Sequence, residues 1–526
     1  MTSQYDAIVI GSGMGGLSAA AILADEGRKV LVLERHFRLG GFTHEFQRQG
    51  FRWDVGLHYV GNMGKGSRDR ALMDRVTGGT LEWDPMPDDF DVFHYPDLDF
   101  HVPNNAAEYK RRLVEAFPHE ADGIDDYFSD VKRASSWFGR VTWGWSASGP
   151  MDLALKMANL KDRRIGLRST KDQIARRITD PKLRALLASQ WGDYGLPPSR
   201  SAFAMHAMVV AHYLRGGFFP RGGSEAIAQA CKQVIEDAGG SVVLNHDVTG
   251  LVVENGQVVG VDVHIKQGKG GREAQFRAPW VISDAGAHTT YSRLVPDGMA
   301  DEVKAAVAAS EASISCVTLY LGLSESGERL GLHGENHWHF ERYDHDDQAD
   351  ADERLMSGQP IGAYLSLPSA KDAEATKHTA EIIALCSDEL FAPWREGEWM
   401  RRGAEYDEVK ARISKGLLAL IERHHPGFGD IVEYAELSTP LSVEHFTGHR
   451  AGGIYGLAAT PARLKAGLVA AKSPVPGLLL AGADVCSPGI MGAFMGGVFA
   501  AAEVLGPTAF PKIMARATRE AVAARS

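Results

Sequence analysis

Short apolar runs, amphipathic stretches and glycine punctuation alternate along this chain in an order that predicts its elements. Ala7 to Ile10 is apolar throughout and rich in β-branched side chains, the pattern of a strand covered on both faces. Leu17 to Glu26, rich in Ala and Leu, predicts a helix that Gly27 ends, and Lys29 to Leu33 predicts the next strand. Arg68 to Val76 predicts a short helix. Phe90 to Val102 predicts one or two strands joined by a turn near Pro96. Ala106 to Phe117, Gly123 to Ser136 and Ser169 to Leu187 read as amphipathic helices. Ala202 to Leu214 is nearly all apolar, as a buried helix or a pocket wall requires, and Met205, His206, Met208 and His212 either pack in it or line a tunnel.

The strand pattern returns from Phe219. Ser224 is placed to cap a helix running to about Ala238, and Gly239-Gly240 ends it. Ser241 to Leu244 is a strand. Val248 to Glu254 and Gln257 to Ile265 form a hairpin about Asn255-Gly256, a pair suited to a type I′ turn. Arg272 to Arg277, Trp280 to Ser283, Ser315 to Leu323, His337 to Phe340 and Gly362 to Leu367 predict further strands. His337 and His339 have the period-two spacing of a chelating pair, but no cysteine or carboxylate lies at ligand spacing within that strand. It therefore reads as solvent-facing, with no metal expected. Asp344 to Glu353 is an acidic run that reads as a solvated loop or helix start. Glu405 to Arg423 is a clean amphipathic helix, Gly477 to Ala483 a buried strand, and a helix of small residues begins near Met491.

The stretch with chemistry in it lies between the first strand and Glu34. Gly11, Gly13 and Gly16 supply G-x-G-x-x-G between that strand and its helix. The first glycine permits the tight turn, the second lets backbone approach a pyrophosphate, and the third lets helix pack on strand. The helix N-terminus then points free N–H groups and a positive dipole end at phosphate. Glu34 ends the second strand, where a carboxylate accepts from a ribose diol, and this favours FAD or NAD over NADP. Gly40 and Gly41, a second glycine pair just beyond, suit a backbone wrapped against a longer dinucleotide.

Composition narrows the class. A net charge of −11 leaves no basic field for nucleic acid. The four cysteines, Cys231, Cys316, Cys386 and Cys486, show no C-x-x-C spacing, which suits reduced thiols in a cytoplasmic setting. The first strand begins near residue 5 with no signal peptide ahead of it, and no apolar run is long enough to span a membrane.

At Gly40-Gly41-Phe42-Thr43-His44-Glu45-Phe46 and Gly50-Phe51-Arg52-Trp53-Asp54-Val55-Gly56-Leu57-His58-Tyr59 the chain resembles the FAD-binding amine oxidase and phytoene desaturase superfamily. It looks most like the branch of retinol saturases and carotenoid isomerases. The resemblance implies an α/β fold: a Rossmann-like three-layer FAD-binding domain from 1–70, 219–290 and 450–506. An inserted α+β substrate domain, 71–218 and 291–449, sits on it, with a C-terminal helical tail at 507–526. FAD is the implied cofactor. Gly11, Ser12, Gly13, Met14, Gly15, Gly16, Glu34, Arg35, His36, Gly40, Gly41, Thr43 and His44 would hold its nucleotide half. By the same resemblance Gly56, Leu57 and His58 contact the isoalloxazine, Val248 lies against the adenine, and Asp284 and Ala285 approach the cofactor. Gly482, Asp484, Gly489, Met491 and Gly492 close over it, with the helix N-terminus near the flavin N1–C2=O edge.

The implied reaction is hydride transfer from reduced FAD to a conjugated C=C bond of a lipophilic isoprenoid, as in all-trans-retinol 13,14-reduction. His58 or Tyr59 is the proton donor or else structural. Carotenoid isomerisation, desaturation and chemistry on unsaturated fatty acyl chains are the alternatives. A non-catalytic lipid escort is disfavoured because both FAD motifs are intact. No second dinucleotide fingerprint is present, so electrons come from a transient donor, NAD(P)H or a redox partner. Trp137 to Arg168 carries Trp137, Phe138, Trp143 and Trp145, then Leu153, Leu155, Met157 and Leu160 beside Lys156, Lys161, Arg163, Arg164 and Arg168. It reads either as a peripheral membrane contact or as a packed helix pair with solvated charges.

Overall fold

The computed structural model describes residues 4–145, 159–268, 270–467 and 469–525. Its first layer is a five-stranded parallel sheet in the order Ser241–Val243, Val30–Leu33, Ala7–Ile10, Val281–Ser283, Leu478–Leu480. Register is tight at the centre, where Ile8 lies between Leu31 and Val281. Every residue of Ala7–Ile10 and Val30–Leu33 is buried, because parallel strands need crossovers that cover both faces. The helices Met14–Asp25 and Ile490–Leu505 pack side by side. Any β-carbon at Gly497 would collide with the Gly15 carbonyl and the Ser18 hydroxyl. A three-stranded antiparallel sheet, His246–Glu254, Gln257–Gln267 and Gly270–Arg277, flanks this layer. Its turn has Asn255 at φ 50° and Gly256 at φ 78°, both left-handed as a type I′ turn demands.

A seven-stranded sheet forms the second body, in the order Val432–Ser438, Ser315–Leu323, His378–Cys386, Gly362–Ser366, Asn336–Phe340, Asp89–Tyr95, Leu98–Pro103. Only the pairing of Asn336–Phe340 with Asp89–Tyr95 is parallel. The helix Ala404–His424 lays Val409, Ile413, Leu417, Leu420 and Ile421 against one face of it, onto Leu319, Leu321, Leu365 and Ile382. Trp338 and Tyr364 turn to the other face.

Several expectations are corrected. Ser169 to Leu187 is two helices, Thr170–Ala175 and Pro181–Ala188. Pro181 cannot continue the first helix, and the Asp180 side chain caps the second. Ser224 occupies the N-cap of Glu225–Asp237, but its hydroxyl makes no capping bond; Asp54 instead accepts from its backbone N–H at 2.7 Å. Asn336–Phe340 does not face solvent: His337 is 4% and His339 0% exposed. The acidic run, by contrast, holds a helix start as expected: Gln348–Met356 begins in it and is capped by Asp347.

In the tryptophan-rich stretch the helix Ala121–Trp145 continues past Ser136 and buries Trp137 and Phe138 beside Trp191 and Tyr194. Trp143 and Leu160 are exposed. Leu153, Leu155, Lys156 and Met157 lie outside the described residues. His206 is packed, accepting from or donating to Tyr127 at 2.7 Å, and His212 accepts from Gly61 N–H at 2.8 Å. Among the described residues no helix is long and apolar enough to cross a membrane.

Candidate functional site

One cavity of about 990 Å³ runs from the carboxyl end of the parallel sheet to the Trp338 face of the seven-stranded sheet. At the first end the chain is built to receive an anion. Gly11, at φ 94°, turns out of the strand, and Gly13 stands at the N-cap of Met14–Asp25. Neither Gly13 nor Gly489, the N-cap of Ile490–Leu505, offers a side chain to its helix, and neither first turn holds an acid. Both N-termini open on the cavity, through Gly13 and Met14 and through Gly489 and Ile490. Gly41, at φ 58°, approaches so closely that a β-carbon there would sit 2.9 Å from Gly13 Cα.

Glu34 is held in place before any ligand arrives. Its Oε2 accepts from Ser12 N–H at 2.9 Å and from Ser12 Oγ at 2.7 Å, and its Oε1 accepts from His36 N–H at 2.7 Å. Ser12 Oγ accepts in turn from Gly40 N–H at 3.1 Å. Thr43 Oγ1 donates to Gly40 O at 2.7 Å, which fixes the second glycine turn. Arg35 reaches across to the carbonyls of His445 and Phe446. Burial, then the neighbouring His44, lowers His36 to about 4, and burial lowers His44 as well. Asp484 receives Leu457 N–H at 2.7 Å and Ala287 N–H at 2.8 Å, tying three distant segments together at the cavity wall. Burial raises Asp284 to about 7. An acid at the cradle that is partly neutral repels phosphate less.

The expected cofactor residues divide by place. Gly11, Gly13, Met14, Glu34, Arg35, His36, Gly40, Gly41, Thr43 and His44 line the cavity on one side. Gly56, Leu57, His58, Val248, Asp284, Ala285, Gly482, Asp484 and Gly489 line it further along. Ser12, Gly15 and Gly16 stand behind the wall, as do Met491 and Gly492, whose neighbours Ile490 and Ala493 line it instead. Two helix N-termini, a fixed ribose-type acid and a glycine cradle converging on one elongated cavity fit FAD.

The second end combines apolar walls with buried acids. His58 is T-shaped to Tyr364 at 5.3 Å, and Tyr364 to Trp338 at 4.6 Å. His58 Nδ1 lies 3.1 Å from Glu381 Oε2. Burial lowers His58 to about 3 and raises Glu381 well above the carboxylate range, with Lys371 opposing the rise on Glu381. Lys371 Nζ donates to His58 O at 3.0 Å, to Ser366 Oγ at 2.7 Å and to Asn336 Oδ1.

Tyr59 does not reach the cavity. Its ring stacks on Tyr213 at 4.2 Å, and its hydroxyl donates to Asp193 Oδ2 at 2.8 Å. Asp193 does line the cavity, and burial followed by the Asp91 charge raises it to about 8. Glu381, Lys371 and Asp193 are absent from the expected set. A lone acid inside the apolar run Thr379 to Cys386 was the one available signal, since acids are seldom buried unpaired. An aspartate in a turn and a lysine after Pro368 carry none.

Known proteins agree with this construction. Residues 14–344 match the family of flavin-containing amine oxidoreductases. The chain is similar to the all-trans-retinol 13,14-reductase of Danio rerio, at 31% identity over 95% of this chain and 86% of that protein. It is also similar to prolycopene isomerase 2 of an Oncidium hybrid cultivar, at 28% identity over 97% of this chain and 85% of the relative. Among solved structures, putrescine oxidase bound to putrescine shares the fold at a TM-score of 0.62 and 15% identity, covering 95% of this chain and 99% of that one. The chain belongs to the flavin-containing amine oxidoreductase family and is an FAD-dependent oxidoreductase.

Proposed function

We propose that this enzyme adds hydrogen across a conjugated C=C bond of a lipophilic polyene, with all-trans-retinol as the representative substrate. The observation that carries the reading is the single cavity in which the nucleotide cradle continues into walls of Trp338, Tyr364, Ile383 and Leu385. Such walls bind an apolar chain and exclude water. Bound FAD, once reduced by a transient donor such as NAD(P)H or a redox partner, supplies the hydride. The chain's own residues supply the proton. Asp193 is the stronger acid at neutral pH, because burial keeps its carboxyl protonated to about 8 and Tyr59 orients it from behind. His58 is a neutral ring, and donates only as Glu381 returns a proton through Nδ1. Exposed Trp143 and Leu160 support a peripheral membrane contact by which such a substrate arrives.

The test is to reduce the holoprotein chemically in the absence of oxygen, mix it with all-trans-retinol and weigh the product by mass spectrometry. A gain of two hydrogens with reoxidised flavin is expected. An unchanged mass with altered retention supports polyene isomerisation, the reading favoured by the prolycopene isomerase relative. No change in either excludes retinol and moves the search to carotenoids and unsaturated fatty acyl chains.

The pH profile of turnover separates the two proton sources. Activity that needs protonated Asp193 falls as pH rises through about 8. Asp193→Asn is expected to remove that limb and lower kcat by about 10²–10⁴-fold. The Tyr59 hydroxyl favours the ionised carboxylate, so Tyr59→Phe moves the limb to higher pH. A limb unchanged in Asp193→Asn transfers the role to His58, to be tested by His58→Ala.

A further inference from the structure

On the face of the seven-stranded sheet opposite Trp338, five histidines meet. His94 comes from Asp89–Tyr95, His337 and His339 from Asn336–Phe340, and His424 with His425 from the C-terminus of the helix Ala404–His424. The parallel register sets His339 beside His94, and the period-two alternation sends His337 the same way while Trp338 lines the cavity opposite. His94 stacks on His339 at 4.6 Å and 7°, and on His337 at 5.3 Å and 10°. His424 lies 4.5 Å from His339, and His425 lies 4.8 Å from His337, ring centre to ring centre. One nitrogen each from His94, His339 and His424, and likewise from His94, His337 and His425, falls within 4.8 Å of the others.

Carboxylates back three of these rings. His94 Nδ1 is 2.7 Å from Asp99 Oδ1, and His337 Nε2 is 3.1 Å from Glu335 Oε1. Ionised carboxylates only accept, so each ring turns its N–H outward. His94 Nε2 and His337 Nδ1 face each other at 3.0 Å, a hydrogen-bonded pair whose donor is set by the tautomer. His339 is 0% exposed, and neither of its ring nitrogens has a hydrogen-bond partner among the described residues; nor does His425 Nε2. His424 Nε2 is 3.5 Å from Glu341 Oε1, a third ring backed by a carboxylate.

We propose that this cluster binds one divalent first-row transition metal ion, with Zn²⁺ as the reference ion, and that the ion ties the sheet to the end of the helix Ala404–His424. Neutral imidazoles select this class over Mg²⁺ or Ca²⁺, which take oxygen ligands. Asp99, Glu335 and Glu341 do for His94, His337 and His424 what carboxylates do behind metal-bound histidines generally: they fix the tautomer and aim the free nitrogen inward. His424 is partly exposed and gives the ion a way in. None of the five histidines lines the cavity, so the ion's role is structural, independent of the flavin reaction.

The test uses chelator-treated, flavin-loaded protein titrated with ZnCl₂, following bound metal after gel filtration, Tm, and the X-ray absorption edge. The expected result is one equivalent of Zn²⁺ per chain in a first shell of nitrogen at about 2.0–2.1 Å, with Tm raised. His339→Ala is expected to diminish both, since it removes one ring of the five and leaves His94, His337 and His425, while exposed His378→Ala leaves both unchanged. Should His339→Ala fail to fold, His424→Gln at the rim is expected to weaken affinity at least about tenfold. Absence of stoichiometric binding, or binding undiminished in His339→Ala or His424→Gln, overturns the site.

Discussion

Gly15→Val is expected to yield a colourless protein. A β-carbon at Gly15 would sit 2.5 Å from both Gly482 Cα and Asp284 Oδ1, and the first of these is backbone at the end of the strand Leu478–Leu480. Neither the strand nor the helix Met14–Asp25 can give way alone, since Gly497 already holds that helix against Ile490–Leu505. The helix N-terminus must lift, and with it the N–H groups that receive phosphate. Overpacking of this kind costs about 1–3 kcal/mol in stability. The loss of FAD removes its ligand stabilisation besides. The measurement is the flavin spectrum after purification, with Tm alongside. Gly139→Ala is the control: it lies in the helix Ala121–Trp145, with nothing within 4 Å of a new β-carbon, and should retain its flavin. A yellow Gly15→Val protein with unchanged FAD affinity would mean that the cradle tolerates displacement and that the cofactor is held elsewhere.

Lys371→Met is expected to be the most damaging polar substitution. Its ammonium satisfies Ser366 Oγ, Asn336 Oδ1 and the carbonyl of His58 at once, in a pocket where the lysine is 8% exposed. Burial lowers Lys371 to about 8, and the charges of Glu381, Asp91 and Asp54 oppose that shift. Methionine keeps the length and removes every bond. Breaking a buried charged network from one side costs about 3–5 kcal/mol. The His58 loop loses its tether as well, so turnover should fall with stability. A double variant, Lys371→Met with Glu381→Leu, should recover part of the loss, because it removes the second buried polar group together with the first. Urea denaturation of the single and double variants reads this directly. Strict additivity would show that the two groups do not interact.

What the sequence disclosed and what it hid divide along physical lines. Gly11 to Glu34 was legible because turn, helix, strand and acid follow one another and each needs only its neighbours. Ser315 to Leu323 could be bounded to the residue because it is mostly apolar, and it is buried along its whole length. Asp193, Lys371 and Glu381 were hidden because their chemistry arises from contacts between segments distant in sequence. Glu381 faces His58 only because His378–Cys386 lies between Ser315–Leu323 and Gly362–Ser366. The histidines at 337 and 339 misled for a related reason. Polar residues at period two report a shared face, and the same pattern describes a face turned to water and one turned to a buried pocket whose other half comes from His424 and His425. Ser169 to Leu187 kept its helical period across Pro181, so periodicity concealed a break that the proline marks.

The strand order of the parallel sheet also dictates when this enzyme can come into being. Ala7–Ile10 is made first, yet one of its two neighbours is Val281–Ser283, whose own far neighbour is Leu478–Leu480. A growing polypeptide therefore leaves the ribosome with its glycine turn written but unsupported for most of synthesis. Contacts so distant along the chain form slowly, and an unfinished sheet exposes apolar surface and open edges meanwhile. A product cut short before residue 478 would carry the whole fingerprint and still present Val281–Ser283 as a bare edge and one flank of Met14–Asp25 uncovered. Proteolysis would find such fragments readily. Translation past Leu478–Leu480 and Ile490–Leu505 thus completes the sheet and the helix pair around Gly11 to Glu34.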